Sequence, residues 1–302
     1  MISANSAQLK KFHKDGYLIL ENFFSTDELD PVKSWIALLV DNLSTKLYKE
    51  GLIPDLFENE SFETRLIKVS NFYPDAPLLI HSQGEFDQNL LNLWTSEKLN
   101  NLVKSFFPSQ PALHPVWNIR AKTPCHSLST VPWHQDAAYL SKNSDQVFQL
   151  SAWIPFIDVS AEHGPLCFIS GCQSDDPVLR HELENQTGNP RSWYLKIPSE
   201  LLPKGRVIRC EVPKGSIILF HQKTVHCCEE NFSDQVRWTI DLRWQLNHQP
   251  NGLDHLKDCL PCHKCPLDIS DPAVYQWANN QRLAPDESPE NNIHGPWMTR
   301  WQ

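Results

Sequence analysis

A histidine and an aspartate two residues apart give the first indication of chemistry in this chain. His134 and Asp136 lie in the run 131–136, Val-Pro-Trp-His-Gln-Asp, whose composition predicts a strand. Side chains two apart on a strand point to the same face of a sheet. One imidazole and one carboxylate are two thirds of a 2-His-1-carboxylate iron site, which leaves coordination positions open for oxygen chemistry. The pair alone is a weak signal, because it also suits a hydrogen-bonded polar pair at a strand end.

The segment 216–237 supplies the missing partners. An apolar strand over 216–220 is followed by His226, a polar turn and then Arg237, which opens the next predicted strand. We expect this hairpin to set His226 and Arg237 at one pocket. His226 would complete the metal ligands, and the guanidinium of Arg237 would hold a carboxylate through two parallel hydrogen bonds. His221 is an alternative ligand, but it ends an apolar strand and lacks the spacing to Arg237.

With these residues the sequence resembles the phytanoyl-CoA dioxygenase-like Fe(II)/2-oxoglutarate oxygenases, over about residues 7–245. The motifs that carry the resemblance are 12–17 (FHKDGY), 133–136 (WHQD), 153–158 (WIPFID), 162–166 (EHGPL), 170–171 (SG) and His226 with Arg237 eleven residues on. The resemblance implies three cofactors or cosubstrates: Fe(II), 2-oxoglutarate and O2. It implies that 2-oxoglutarate chelates the iron, while a cation binds its distal C5 carboxylate.

The resemblance also implies which residues surround the cosubstrate. The expected residues are Arg237, Lys68, Asn118, Trp153, Gln135 and Cys228. Lys68 also suits a lysine that extends its ammonium group to solvent, and Trp153 also suits plain core. Cys228 stands where the family usually has serine, and a thiol is a poorer hydrogen-bonding partner than a hydroxyl.

The expected reaction is oxidation, by default hydroxylation, of an unactivated C–H bond in a small organic metabolite, with release of succinate and CO2. Desaturation and oxidative cyclisation use the same iron chemistry and stay open. Asp136 favours oxygenation over halogenation, because the related halogenases lack this carboxylate. Two rivals are an inactive jelly-roll binding protein and a zinc hydrolase on a cupin-like barrel, although a hydrolase has no need for Arg237.

Several further residues could line the pocket. The substrate residues that we expect at its mouth are Phe72, Tyr73, His81, Trp133 and Tyr139, together with the loop 173–205, although Trp133 and Tyr139 also suit the core. Lys122 suits either a carboxylate partner or an exposed strand lysine. Arg243 shares the strand face of Arg237 and suits a salt bridge.

A second cluster lies near the end of the chain. Cys259, Cys262 and Cys265 have C-x2-C-x2-C spacing, which suits either a metal site or a surface loop with free thiols.

The elements that position these residues form two regions, which differ in their predicted secondary structure. Helical patterns dominate up to about residue 110, with Gly16 as a helix stop, a capping box at Ser25 and Glu28, and a cap at Ser96. From 113 onward, short β-rich runs alternate with Gly and Pro turns. The fold is therefore expected to be mainly β with flanking helices, around a double-stranded β-helix core (jelly roll, cupin-like). One oxygenase domain would fill 1–302, with helical support over about 1–110, the core over about 113–245 and an extension over about 246–302.

Composition and charge limit the classes of binding partner that we expect. The chain has 302 residues and a net charge of −9, which argues against a nucleic-acid surface. No apolar run approaches the length of a membrane span, and the N-terminus lacks the pattern of a secretory signal. Nine cysteines in such a chain predict free thiols in a reducing compartment, the cytoplasm. We expect a small-molecule substrate, with no nucleic acid and no membrane insertion.

Overall fold

The computed structural model describes residues 3–83, 85–125, 130–171, 177–184, 194–253, 259–261, 267–279, 296 and 300–301. Its helices are α1 (Ser6–Asp15), α2 (Thr26–Lys49), α3 (Arg65–Phe72), α4 (Ala76–Gln83), α5 (Gln88–Trp94), α6 (Glu97–Lys104) and α7 (Pro272–Asn279). Its strands are β1 (Tyr17–Leu20), β2 (Pro111–Leu113), β3 (Asn118–Lys122), β4 (Val131–His134), β5 (Gln149–Pro155), β6 (Leu166–Ile169), β7 (Glu182–Leu183), β8 (Leu195–Lys196), β9 (Val207–Arg209), β10 (Ile217–His221), β11 (His226–Cys228), β12 (Arg237–Leu246) and β13 (Leu260–Pro261).

Local capping explains where the first helices begin and end. Gly16 ends α1 with φ 80°, and its N–H donates to the carbonyl of Phe12. Ser25 and Glu28 form the predicted capping box of α2, and Ser96 caps α6. The segment around Lys68 is the helix α3.

Two antiparallel sheets form the core. The larger sheet has the order β1-β10-β5-β12-β2-β13, with β3 paired to β12, and the smaller sheet has the order β4-β11-β6-β9. Apolar side chains from both sheets pack together between them, among them Trp153 and Phe220 of the larger sheet and Phe168 of the smaller. The mainly-β jelly roll that the sequence predicted is therefore confirmed.

The strand β12 shows how the sheet separates an apolar face from a polar one. Side chains alternate between the two faces of a strand. Trp238, Ile240, Leu242 and Trp244 pack against the helices. The alternate residues of β12, which face the smaller sheet, are Arg237, Thr239, Asp241, Arg243 and Gln245. The barrel interior therefore receives charge from the larger sheet.

The helices cover the outer face of the larger sheet with a layer rich in tryptophan. The rings of Trp35 and Phe86 pack against Trp117, with centroids 6.0 and 5.0 Å away. The helix α7 joins this layer, since Trp117 donates to the carbonyl of Ala278 at 2.8 Å and Trp277 packs on Trp94. Part of the C-terminal extension is thus built into the core. Among the described helices, none combines the length and the hydropathy that crossing a membrane requires.

Two glycines beside β6 allow a matched test of close packing. Gly164 and Gly171 both have positive φ, 65° and 85°. A Cβ at Gly164 would overlap the carbonyl oxygen of Glu229 and lie 2.9 Å from the carbonyl carbon of Glu230, whereas one at Gly171 would meet nothing within 4 Å. Alanine at either position pays about 1 kcal/mol of backbone strain.

We expect Gly164→Ala to lower the free energy of unfolding by about 2 kcal/mol more than Gly171→Ala does, because only Gly164 also suffers overpacking. Urea denaturation of the two variants measures this difference. Equal losses would contradict the close approach of the β6 turn to the backbone at 229–230.

Candidate functional site

The three residues predicted to bind metal meet inside the barrel. His134 of β4 and His226 of β11 are direct cross-strand partners, and their ring centroids lie 4.1 Å apart. The Nε2 atoms of both rings lie 3.7 Å from Oδ1 of Asp136. Within the described residues, this is the cluster whose ligand atoms are close enough to share one metal ion.

Asp136 reaches this position by a turn, so the strand predicted over 131–136 is wrong after His134. The strand β4 ends at His134, and residues Asp136–Tyr139 form a 3-10 turn. The backbone N–H of Gln135 donates to Nε2 of His181 at 3.0 Å. That of Ala137 donates to the carbonyl of Gln222. These tertiary partners draw the chain out of the sheet, and strand alternation therefore does not place the carboxylate.

Both histidines present the same nitrogen to the metal position. Nδ1 of His134 lies 2.8 Å from the carbonyl of Pro132, and Nδ1 of His226 lies 2.8 Å from the carbonyl of Thr224. A carbonyl only accepts, so each Nδ1 carries the hydrogen, and the Nε2 of each ring is the nitrogen that can bind a metal. Burial lowers the pKa of His226 to about 3, which keeps its ring neutral. Two imidazoles and one carboxylate are a suitable donor set for Fe(II).

The carboxylate of Asp136 is divided between two tasks. Oδ2 accepts from Nη2 of Arg243 at 3.0 Å and from the hydroxyl of Ser151 at 3.0 Å. Oδ1 is the oxygen that faces the two histidines. Burial alone would raise the pKa of Asp136, but Arg243 and the histidines hold it well below its usual value. Arg243 is therefore confirmed as a salt-bridge partner, and the carboxylate offers one anionic oxygen to a metal.

Asn118 supports this ion pair from the neighbouring strand. With its amide oriented to satisfy both neighbours, its oxygen accepts from Nη1 of Arg243 at 3.0 Å and its nitrogen donates to the carbonyl of Trp117. The sequence placed Asn118 at the cosubstrate, and the contact in the structure is with the arginine behind the metal ligand.

The far end of β12 carries a buried guanidinium with unused donors. Arg237 is 1% exposed and lies over the ring of Trp153, 5.4 Å from its centroid. Its Nη1 donates to the hydroxyl of Thr239 at 3.2 Å. Nε of Arg237 and Nε1 of Trp153 are buried and have no hydrogen-bond partner among the described residues. Burial lowers the pKa of Arg237, and the neighbouring Cys228 thiol opposes that shift. These orphaned donors fit a carboxylate ligand.

Four predicted residues lie on the helix layer. The side chain of Lys68 is 47% exposed, and its ammonium group is 3.8 Å from Glu60. Phe72 is 54% exposed, and Tyr73 packs at the edge of the helix core. Nδ1 of His81 lies 2.9 Å from the carbonyl of Ile119. The roles of these four residues at the cosubstrate or substrate stay predictions.

Trp133 and Tyr139, which were predicted to contact the substrate, flank the metal-binding motif in the chain. Trp133 packs in a small apolar cluster with Val225. Tyr139 stands edge-on to His134 at 5.7 Å, and its hydroxyl accepts from the N–H of Leu195.

Gln135 is occupied by backbone partners. Its amide nitrogen donates to the carbonyl of Lys223 at 2.7 Å and to that of Pro177 at 3.3 Å. Its amide oxygen accepts from the N–H of Leu179. Both amide hydrogens are thus in use, which leaves none for the predicted cosubstrate contact.

The described parts of the 173–205 loop contact β4 and the apolar cluster between the sheets. The N–H of Ile197 donates to the carbonyl of Trp133 at 2.8 Å. Tyr194 enters the apolar cluster between the two sheets, where a hydrogen bond with Arg120 opposes the upward effect of burial on its pKa. Residues 173–176 and 185–193 lie outside the described residues, so whether the whole loop is a lid stays a prediction.

Two residues near the chain end hold the turn that carries Asp136. Nη1 of Arg300 donates to the carbonyl of Ala137 at 2.9 Å, and Nε1 of Trp301 donates to the carbonyl of Ala138 at 2.9 Å. No motif or spacing in the sequence indicated Arg300 or Trp301. Ser151, by contrast, could have been found, because it alternates with the apolar residues of β5 and so must face the barrel.

The alternative metal ligand His221 lies on the opposite face of the larger sheet from the barrel interior. His221 shares its strand face with Ile217 and Leu219, which pack on the helices, and its ring lies against Phe148. It therefore points away from the metal ligands.

Cys262 and Cys265 lie outside the described residues, so the metal site proposed for them with Cys259 stays a prediction.

Comparison with known proteins places the chain in a family. The model of the family "Phytanoyl-CoA dioxygenase (PhyH)" matches residues 12–239. Phytanoyl-CoA dioxygenase domain-containing protein 1 of Bos taurus is 26% identical over 262 residues, covering 78% of this chain and 88% of the relative. Its homolog in Dictyostelium discoideum is 23% identical over 255 residues, covering 78% and 89%.

Solved structures share the fold. EctD from S. alaskensis, determined with 2-oxoglutarate and 5-hydroxyectoine, has a TM-score of 0.53 and 17% identity, covering 80% of this chain and 76% of its own. The α-ketoglutarate-dependent epimerase SnoN from nogalamycin biosynthesis has a TM-score of 0.51 and 16% identity, covering 84% and 93%.

The family match spans most of the chain, and the smaller sheet and the turn after β4 form a His-Asp-His metal site. The chain belongs to the phytanoyl-CoA dioxygenase family, and it is an Fe(II)/2-oxoglutarate-dependent dioxygenase that uses Fe(II), 2-oxoglutarate and O2.

Proposed function

We propose that the enzyme hydroxylates an unactivated C–H bond of a small organic metabolite. In this proposal His134, Asp136 and His226 hold the iron, and Arg237 binds the C5 carboxylate of 2-oxoglutarate. The observation that carries it is what the two sheets present to the interior: a three-ligand cluster from the smaller sheet and the turn after β4, and a buried guanidinium with an orphaned donor from the larger sheet. A carboxylate of the cosubstrate would satisfy that guanidinium.

Each residue has a task that its contacts support. Iron and 2-oxoglutarate, when bound, supply the oxidising chemistry. Arg243 and Ser151 hold Oδ2 of Asp136, so that a single carboxylate oxygen is offered and further coordination positions stay open for ligands. Arg237, stacked on Trp153, orients the distal carboxylate. Tyr139 and Tyr194 help to exclude water from the interior.

Hydroxylation is the default among outcomes that share this iron chemistry. Desaturation and oxidative cyclisation differ only in how the substrate is held after hydrogen abstraction. The mass of the product distinguishes hydroxylation from the other two reactions, because hydroxylation adds one oxygen atom whereas desaturation and cyclisation each remove two hydrogens. Lys68, Phe72, Tyr73 and His81 stay candidates for cosubstrate or substrate contacts.

A cytoplasmic location belongs to the same proposal. Cys125, Cys167, Cys210, Cys227 and Cys228 are free thiols. Cys167 and Cys227 are direct cross-strand partners, and they nevertheless remain unlinked. Such a pair suits a reducing compartment.

The ligand assignment predicts a spectroscopic result. Anaerobic addition of Fe(II) and then 2-oxoglutarate should produce the weak visible metal-to-ligand charge-transfer band of a chelated keto acid. We expect His134→Ala to abolish the band, and Arg237→Met to require about 10- to 100-fold more 2-oxoglutarate, because it loses charge-assisted hydrogen bonds. His221→Ala is the matched control, since that buried histidine lies on the other face of the sheet, and it should keep the band.

Loss of the band in His221→Ala but not in His134→Ala would contradict the ligand assignment. A wild-type protein that binds iron but never forms the band would refute the cosubstrate assignment. A protein that binds neither would favour the inactive binding protein.

The Asp136–Arg243 pair predicts a change in metal affinity. Arg243→Met leaves Asp136 without its cation, and loss of a partner behind a metal ligand typically weakens metal binding about 10- to 100-fold. Titration with Fe(II) or Co(II) measures this change. Arg120→Met is the matched control, because it also strips a buried aspartate, Asp241, of its arginine partner at 3.0 Å but leaves Asp136 paired. Equal losses in the two variants would show that Arg243 acts through the fold alone.

A further inference from the structure

Four cations face the barrel interior from β3 and β12, and only two of them have a carboxylate partner. Arg120 pairs with Asp241 at 3.0 Å, and Arg243 pairs with Asp136 at 3.0 Å. Lys122 and Arg237 are the other two. They are cross-strand partners, each is 1% exposed, and neither forms a salt bridge with any described residue.

Two neighbouring buried cations without an anion are costly. Like charges repel, and the repulsion grows in the low dielectric of the interior. Burial lowers the pKa of Lys122 to about 7, and Arg237 lowers it further in the same direction. The other groups that act on Lys122 are Cys227, Cys228 and Glu230, which oppose this shift. The interior therefore has a position where a bound anion would relieve both cations.

The unused donors define the shape of that anion. The ammonium group of Lys122 donates to the carbonyls of Glu229 and Cys228, the second at 3.5 Å. An ammonium has three hydrogens, so one remains. Nε of Arg237 also has no partner among the described residues. A carboxylate has two oxygens and several acceptor positions, which lets it bridge an ammonium and a guanidinium.

We infer that Lys122 is the second cation for the C5 carboxylate of 2-oxoglutarate and makes the site selective for a dicarboxylic keto acid. This inference rests on the proposed function of Arg237. It also accounts for Cys228, which lacks the hydroxyl expected at its position: the ammonium of Lys122, held at the Cys228 carbonyl, supplies a stronger donor to the same carboxylate.

The test compares two keto acids of equal length in two proteins. 2-Oxopentanoate chelates iron as 2-oxoglutarate does but ends in a methyl group in place of the C5 carboxylate. Lys122→Met keeps an unbranched side chain that is one atom shorter, and it removes the charge. The readout is the anaerobic charge-transfer band with Fe(II), which requires binding but no turnover.

We expect Lys122→Met to bind 2-oxoglutarate about 10- to 100-fold more weakly and 2-oxopentanoate as tightly as the wild type does. Lys122→Arg, which keeps the charge, should retain a preference for 2-oxoglutarate. If Lys122→Met weakens both acids equally, the lysine is only structural and the inference falls. If it weakens neither, the anion for Lys122 is not this carboxylate and the inference falls as well. Absence of the band with 2-oxoglutarate in the wild type would instead refute the proposed function.

The pH dependence gives a second readout that a structural role would not produce. The bound carboxylate favours the charged ammonium, so it raises the pKa of Lys122 above its value of about 7 in the free protein. Affinity for 2-oxoglutarate should therefore be highest below pH 7 and fall as the pH rises above it. Lys122→Met should lose this slope, and an unchanged slope in the variant would overturn the inference.

Discussion

The metal site depends on the ion pair between Asp136 and Arg243. A carboxylate buried this deeply is costly unless it is paired and hydrogen-bonded, and Arg243, Ser151 and Asn118 together meet that need. The pairing also selects which oxygen is left for the metal. Because Arg243 lies on β12, the position of the metal ligand is set by the most central strand of the larger sheet.

The strand β12 contributes both to the hydrophobic core and to the candidate site. Four large side chains on its apolar face pack against the helix layer. Its polar face places Arg237, Asp241 and Arg243 in the barrel interior. A shift of one residue in register would move the arginines into the helix core and the tryptophans into the barrel. The burial of Trp238 and Trp244 therefore fixes the direction of Arg237 and Arg243, and the stability of the core is what keeps the site assembled.

The turn that carries Asp136 is held from several sides. The described parts of the 173–205 loop contact it through His181 and Gln135, while Arg300 and Trp301 contact its carbonyl groups. A short turn outside the sheet has few hydrogen bonds of its own. Contacts from segments distant in sequence therefore replace the missing ladder and keep the carboxylate at the distance that the two histidines require.

The sequence by itself determined the chemistry and the general fold. The spacing of His134, Asp136, His226 and Arg237 predicted an iron and keto-acid site. Short β-rich runs separated by Gly and Pro turns predicted the jelly roll. Both predictions need only residue types and local spacing, which can be read directly from the sequence. Tertiary structure alone decided that Asp136 arrives by a turn, that His221 faces the helices and that Gln135 is bound by backbone groups. It also placed Lys122 beside Arg237 in the interior, with no carboxylate partner among the described residues. Each of these depends on contacts between residues far apart in sequence, and local propensity carries no information about which distant groups become neighbours.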